Sequence, residues 1–179
     1  MNFYEIHETE KLFVIVTEFL YGKQLLKRIS NQKILEEAII KKIIGSLLQS
    51  LVYIHSRGIM HRDLKPENIV FTSNDSSYDI KIIDFGLASL IDEEEYLYKR
   101  CGTPGFVAPE IIKLKDGQHY NELCDLFSVG VIFYILLIGK QPFKSSNYKK
   151  VLKLNKDCKV DFFRPELSGY STEAIDLLQ

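Results

Sequence analysis

Apolar residues recur at every fourth position along one stretch of the chain: Leu35, Ile39, Ile43, Leu47 and Leu51, with Ile40, Ile44 and Leu48 beside them. That period and width predict a long amphipathic helix from Leu35 to His55. Glu36 and Glu37 fall in its first turn, where the helix dipole favours them, and Arg57–Gly58 is placed to end it. Leu123 to Ile138 is apolar on nearly every face, which predicts a helix buried all round, ended by Gly139. "KLFVIVTEF" (11–19) is a continuous run of β-branched and aromatic residues and reads as a strand buried on both faces. "FYEIHE" (3–8) is placed to pair with it through a turn at Thr9–Glu10. Two strands alone are marginal in water, so this hairpin calls for more sheet. "NIVF" and "DIKII" read as short strands around the polar turn Ser73-Asn74-Asp75-Ser76-Ser77. Residues 86–120 have loop character, with Gly102, Pro104, Gly105 and Pro109. The tail predicts a loop at Pro165 and a helix beginning at Ser171.

Composition narrows the class. A chain of 179 residues, 46% hydrophobic and 26% charged, suits one globular domain with a sizeable core. The net charge of −1 gives no global attraction to nucleic acid or anionic membrane. Cys101, Cys124 and Cys158 form no CxxC, which fits a reducing compartment and argues against a disulfide scaffold or zinc site. "LFSVGVIFYILLIG" (126–139) is shorter than the roughly 20 residues that span a bilayer, and no signal pattern opens the chain. An intracellular, cytoplasmic location is expected. No EF-hand calcium loop is present.

The chemistry concentrates in "GIMHRDLKPENIVF" (58–71), where Asp63, Lys65, Glu67 and Asn68 precede an apolar run. A second acidic position, Asp84, follows the apolar strand in "IKIIDFG". Asp and Asn are hard oxygen ligands suited to Mg²⁺, which keeps several waters and takes few protein ligands. Lysine suits phosphate as a point charge. A carboxylate left free of metal can receive a hydroxyl proton. Together these fit phosphoryl transfer, in which positioning and charge neutralisation do most of the catalysis.

"HRDLKPEN" (61–68), "DFG" (84–86), "GTPGFVAPE" (102–110) and "DLFSVGV" (125–131) resemble the motifs of eukaryotic protein kinases, in the family's order and spacing. The resemblance runs over essentially the whole chain. It implies an α+β, protein kinase-like fold: mostly the helical C-terminal lobe, with the last strands of the N-terminal lobe. Residues 1–20 would be the end of the small lobe and the hinge, and 21–179 the large lobe. It implies a Ser/Thr kinase using ATP and Mg²⁺ on a protein substrate. "CGTPGFVAPE" and "LLIGKQPF" look most like the calcium/calmodulin-dependent kinase group, with calcium/calmodulin regulation expected through regions outside this chain. On this resemblance Asp63 is the catalytic base, Lys65 neutralises the transferred phosphoryl group, and Thr103 bridges to both. Asn68 and Asp84 are the magnesium ligands. Glu18 and Leu20 hold adenine through their backbone, behind a gatekeeper at Thr17 and above a floor at Val70. Arg62 pairs with an anionic activation segment, and Asp125 braces the catalytic loop. His61, Phe85 and Phe3 stack as a spine; Gly86 completes DFG, and Glu110 awaits an arginine expected beyond Gln179.

The sequence also departs from that pattern. It contains no GxGxxG, phosphate-pairing strand lysine or helix with its glutamate partner, so residues 1–179 alone are expected to be a poor kinase. Phe106 and Phe127 stand where Tyr and Trp are usual. Gln24 stands where many basic-directed kinases carry a Glu. Between Ser89 and Thr103 there is no Ser or Thr, only Tyr96 and Tyr98. The acidic run Asp92–Glu95 therefore reads either as a solvated loop or as a stand-in for phosphate opposite Arg62. A second reading of the whole chain is a non-catalytic, kinase-like binding module. The intact Asp63, Lys65, Asn68 and Asp84 favour the enzyme, because a pure binding module needs no such set.

Overall fold

Strand pairing begins near the N-terminus, where β1 (Phe3–Glu8) and β2 (Phe13–Thr17) form an antiparallel hairpin. Its turn is closed by Thr9, whose hydroxyl donates to the Leu12 carbonyl (3.0 Å) and accepts from the Leu12 N–H (3.1 Å). The computed structural model describes residues 1–29, 35–74, 78–93 and 95–179. The expectation of a strand buried on both faces is corrected here: Phe13, Val14 and Ile15 are exposed, and only Val16 and Thr17 are half-buried. The reason is topological. Among the described residues β1 and β2 form a sheet of their own, with no third strand.

The helical body carries the core. After α1 (Leu25–Ile29), α2 runs from Glu37 to His55. It begins two residues later than Leu35, with Glu36 as an extended N-terminal flank. Its buried stripe, Ile40, Ile43, Ile44, Leu47, Leu51 and Ile54, is the face the four-residue period marked, and it packs on α4. By length and composition α2 could cross a bilayer, but that stripe makes it a core helix. Ser56 caps it, and Gly58 takes the left-handed backbone (φ 69°) that turns the chain toward the site.

Next come β3 (Ile59–Met60), β4 (Ile69–Phe71), β5 (Ile80–Ile82) and β6 (Ser89–Leu90). β4 pairs antiparallel with β5, and β3 with β6. The expected turn between β4 and β5 includes Asp75–Ser77, which lie outside the described residues. Gly22 is required where the chain crosses β4, because a Cβ there would stand 2.1 Å from the Phe71 carbonyl oxygen.

α3 (Pro109–Lys113) precedes α4, which spans Leu123–Ile138 as the apolar pattern predicted. α4 is buried along most of its length and ends at Gly139 (φ 73°). α5 (Tyr148–Asp157) and α6 (Thr172–Leu178) complete the element order, with a 3₁₀ turn at Pro165–Gly169 between them. Ser171 caps α6 by accepting from the Ala174 N–H (3.2 Å), and Glu37 of α2 accepts from the Ser171 N–H (2.8 Å). These hydrogen bonds from Ser171 hold the Glu37 carboxyl below the usual range.

Candidate active site

Asp125, in the first turn of α4, organises the loop after β3. Its fully buried carboxylate accepts from two successive backbone N–H groups, His61 and Arg62, each at 2.8 Å. His55, the last residue of α2, bonds the same carboxylate at 2.9 Å. Arg62 sits at φ 66°, a conformation costly for a side chain with a Cβ. Two charge-assisted bonds on adjacent peptides hold it there.

That bend presents Asp63. Lys65 Nζ donates to Asp63 Oδ2 (2.7 Å) and to the Thr103 hydroxyl (2.9 Å). Thr103 in turn donates to Asp63 Oδ1 (2.6 Å). The three expected catalytic residues thus meet as one cluster, although Thr103 is 40 residues away in sequence. Asn68 Nδ2 donates to the Asp63 carbonyl (2.9 Å), which leaves its amide oxygen as an acceptor.

Asp84 reaches the same region through the sheet. Ile69 faces Ile82 in the β4–β5 register, and the Ile83 N–H donates to the Asn68 carbonyl (2.9 Å), one residue short of Asp84. Asp84 is exposed, at φ 63°, and its Oδ1 accepts from the Gly86 N–H (3.2 Å). Among the described residues no three His, Cys, Asp or Glu side chains gather as a metal cage. An amide oxygen and a carboxylate remain, a donor set that fits an ion retaining most of its waters, as Mg²⁺ does.

His61 is a packing and wiring residue. Its ring is fully buried, with Nδ1 accepting from the Asp63 N–H (3.3 Å). Nε2 therefore carries the proton and donates to the Ile83 carbonyl (3.1 Å). Phe85 packs edge-on against it, centroids 4.9 Å apart. Phe3, expected in the same stack, is instead exposed on β1, and no ring contact joins it to either residue among those described. A hairpin with no third strand among the described residues leaves Phe3 exposed and out of that stack.

The nucleotide-side residues divide. The Glu18 N–H is engaged with the Asn2 carbonyl (2.9 Å), and its carboxylate pairs with Lys81 of β5. That hydrogen bond from Lys81 holds the Glu18 carboxyl below its ordinary range. Leu20 makes no backbone hydrogen bond to the described residues, so its N–H and C=O can receive a ligand. Val70 is buried in β4, bridged to Gln24. Gln24 Nε2 donates to the Glu67 carbonyl (3.1 Å), which makes it a brace for the 61–68 loop.

The Arg62 side chain has partners the sequence did not suggest. Nε donates to the Leu87 carbonyl (2.6 Å), and Nη1 to the Tyr98 carbonyl (3.2 Å) and the Tyr120 hydroxyl (3.0 Å). The guanidinium also lies 5.1 Å from the centre of the Tyr96 ring. Tyr96 is buried and donates its hydroxyl to the Tyr120 carbonyl (2.9 Å). Burial pushes the Tyr96 phenol up and that of Tyr120 well up, so both stay neutral. Of the two readings of the acidic run, the phosphate stand-in opposite Arg62 is the one the geometry does not bear out: Asp92, Glu93 and Glu95 are exposed and make no ion pair with Arg62, and Glu94 lies outside the described residues. An aromatic plug and backbone carbonyls occupy that place.

Tyr96→Ala should consequently loosen segment 87–103. Deleting a buried aromatic ring costs about 3–5 kcal/mol. Amide hydrogen exchange across that segment should accelerate by at least about tenfold, whereas Tyr96→Phe, which keeps the ring over Arg62, should move it far less. Unchanged exchange in Tyr96→Ala would remove Tyr96 as the anchor.

Sequence reasoning missed Asn155. This fully buried residue of α5 accepts from the Gly105 N–H (2.7 Å) and donates to the Val107 carbonyl (3.1 Å). It clips the loop that begins at Thr103, and only its unusual polarity on an inward face could have marked it. Glu110 is exposed, with no ion pair among the described residues. Burial pushes the Cys124 thiol far up, which makes it inert.

Comparison with known proteins gives this geometry a family. The model of the protein kinase domain matches residues 1–179. The chain is 39% identical over 175 residues to the probable serine/threonine-protein kinase fhkC of Dictyostelium discoideum, covering 98% of this chain and 29% of that protein. It is 36% identical over 182 residues to a probable myosin light chain kinase of the same organism, covering 99% of this chain and 55% of that protein. It is also 36% identical over 180 residues to calcium-dependent protein kinase 4 of Plasmodium berghei, covering 100% and 33%. The chain thus spans roughly a third to a half of the length of the curated relatives it matches. Matched by the family model over its whole length, the chain belongs to the protein kinase family, and its relatives include a probable serine/threonine-protein kinase.

Proposed function

We propose that the intact protein is a serine/threonine kinase that transfers the γ-phosphoryl group of ATP to a protein hydroxyl. The observation that carries this reading is the Asp63 carboxylate held between Lys65 and Thr103. Members of the family generally use ATP and Mg²⁺. Asp63 orients the incoming hydroxyl and receives its proton as the oxygen–phosphorus bond forms. Lys65 neutralises charge on the γ-phosphoryl group as its bond to the bridging oxygen breaks and ADP departs carrying the negative charge of that oxygen. Asn68 and Asp84 are the side chains that would hold magnesium, which neutralises phosphate charge when bound. Leu20 and Val70 would take the adenine edge and face. The calcium-dependent protein kinase among the relatives supports a calcium-linked control, and an intracellular setting is part of this proposal.

Lys65 lies two residues after the base and bonds Thr103, the arrangement of the serine/threonine type that the sequence resembles. The test is transfer of γ-labelled phosphate by the intact protein to a peptide library, followed by phosphoamino-acid analysis. Phosphoserine and phosphothreonine are expected. Mainly phosphotyrosine would overturn the acceptor assignment, and no transfer would overturn the activity.

A further inference from the structure

The chain's positive charge is unevenly placed. Residues 144–159 contain six lysines (144, 149, 150, 153, 156 and 159) and one acid, Asp157, a net of +5. With a whole-chain charge of −1, the remaining residues sum to −6. All six lysines are exposed, and none forms an ion pair with a described residue. Lys149, Lys153 and Lys156 stand four and three residues apart and share one face of α5.

Helix stability does not account for this arrangement. Lys149 and Lys150 lie in the first turn of α5, at the positive end of its dipole, and that turn holds no acid. Neighbouring lysines at these spacings also repel. The helix therefore carries charges that work against it, on the face opposite its anchor. That anchor is Asn155, bonded to Gly105 and Val107. Two residues before Gly105, Thr103 touches Asp63. α5 is thus fastened to the loop over which a chain presenting a hydroxyl to Asp63 must pass. Lys113 of α3 extends the positive surface, since α3 packs against α5.

We propose that the lysine face of α5 docks an acidic segment of the protein substrate, a run of Asp or Glu near the acceptor residue. The proposal rests on the kinase reading. Its continuity with the Asp63 loop favours a substrate segment over an anionic membrane. Exposed ion pairs are individually weak, and three or four together amount to about tenfold in affinity. Most of that is lost at high salt.

The experiment compares a serine peptide flanked by glutamates with its glutamine counterpart, using the intact protein. At about 50 mM salt the glutamate peptide should show a KM about tenfold lower at similar kcat, and the difference should shrink at about 500 mM. The triple variant Lys149→Glu, Lys153→Glu, Lys156→Glu should abolish the preference while leaving the constants for the glutamine peptide within about twofold. The triple Lys→Arg variant should keep it. In parallel, fluorescence anisotropy follows labelled peptides with Ala at the acceptor position. This arm reads docking without turnover, so a protein that binds the acidic peptide but transfers no phosphate would fail the kinase reading alone. Equal binding of the two peptides, or a preference that survives the charge reversal, overturns the proposal. So does binding to phosphatidylserine vesicles without peptide discrimination, which would assign the face to a membrane.

Discussion

Asp63→Asn is expected to lower kcat by roughly 10²–10⁴, the range of positioned acid–base catalysis. The amide has the size of the carboxylate and can still accept from Thr103 or Lys65 through one oxygen. It cannot take a proton from the acceptor hydroxyl, and it removes the negative charge that holds Lys65 at 2.7 Å. Nucleotide affinity should change little, because the candidate magnesium ligands are Asn68 and Asp84. Single-turnover transfer and calorimetry with ATP and magnesium, measured on the same variant, separate the two effects. Undiminished transfer would remove Asp63 as the base.

Asp125→Ala is expected to damage both stability and activity without touching any reacting atom. Its carboxylate serves the buried N–H groups of His61 and Arg62 and the ring of His55. Each buried donor left without a partner costs about 1–3 kcal/mol, so the sum approaches a large share of a typical domain's stability of about 5–15 kcal/mol. Arg62 would also be released from φ 66°, and relaxation toward the right-handed region would rotate the peptide that carries Asp63. Asp125→Asn retains one acceptor and should fall between Ala and wild type. Urea unfolding gives the stability series, and kcat gives the catalytic one. An alanine variant within about 1 kcal/mol of wild type and fully active would refute the brace.

Particular residues show how far sequence reading reached. Ile40, Ile43, Leu47 and Leu51 declared their face through a local period, because a helix brings residues four apart into line whatever surrounds it. Leu123–Ile138 declared its burial through the absence of any polar face. Asp63, Lys65 and Asn68 stood together because one loop supplies all three. Thr103 entered only through resemblance, since no local pattern says that a residue 40 positions on will touch Asp63. The hairpin misled for the opposite reason. An apolar run states a preference for burial, but burial needs a second surface, and β2 has none among the described residues.

The sequence by itself determined the two long helices, the β4–β5 strands and the chemical types at the site, because periodicity and motif spacing are properties of neighbouring residues. Tertiary structure alone decided what Arg62 binds. The acids nearest in sequence carry the complementary charge, yet in water they are well solvated, and moving them into a buried site would cost more than the pairing returns. Tyr96 and Tyr120 bury apolar surface and still offer a π face and a hydroxyl, so the fold seats them against the guanidinium. Asn155 follows the same logic: two unpaired backbone groups at Gly105 and Val107 acquire a partner only when α5 packs against that loop, a contact made across 48 to 50 residues of chain.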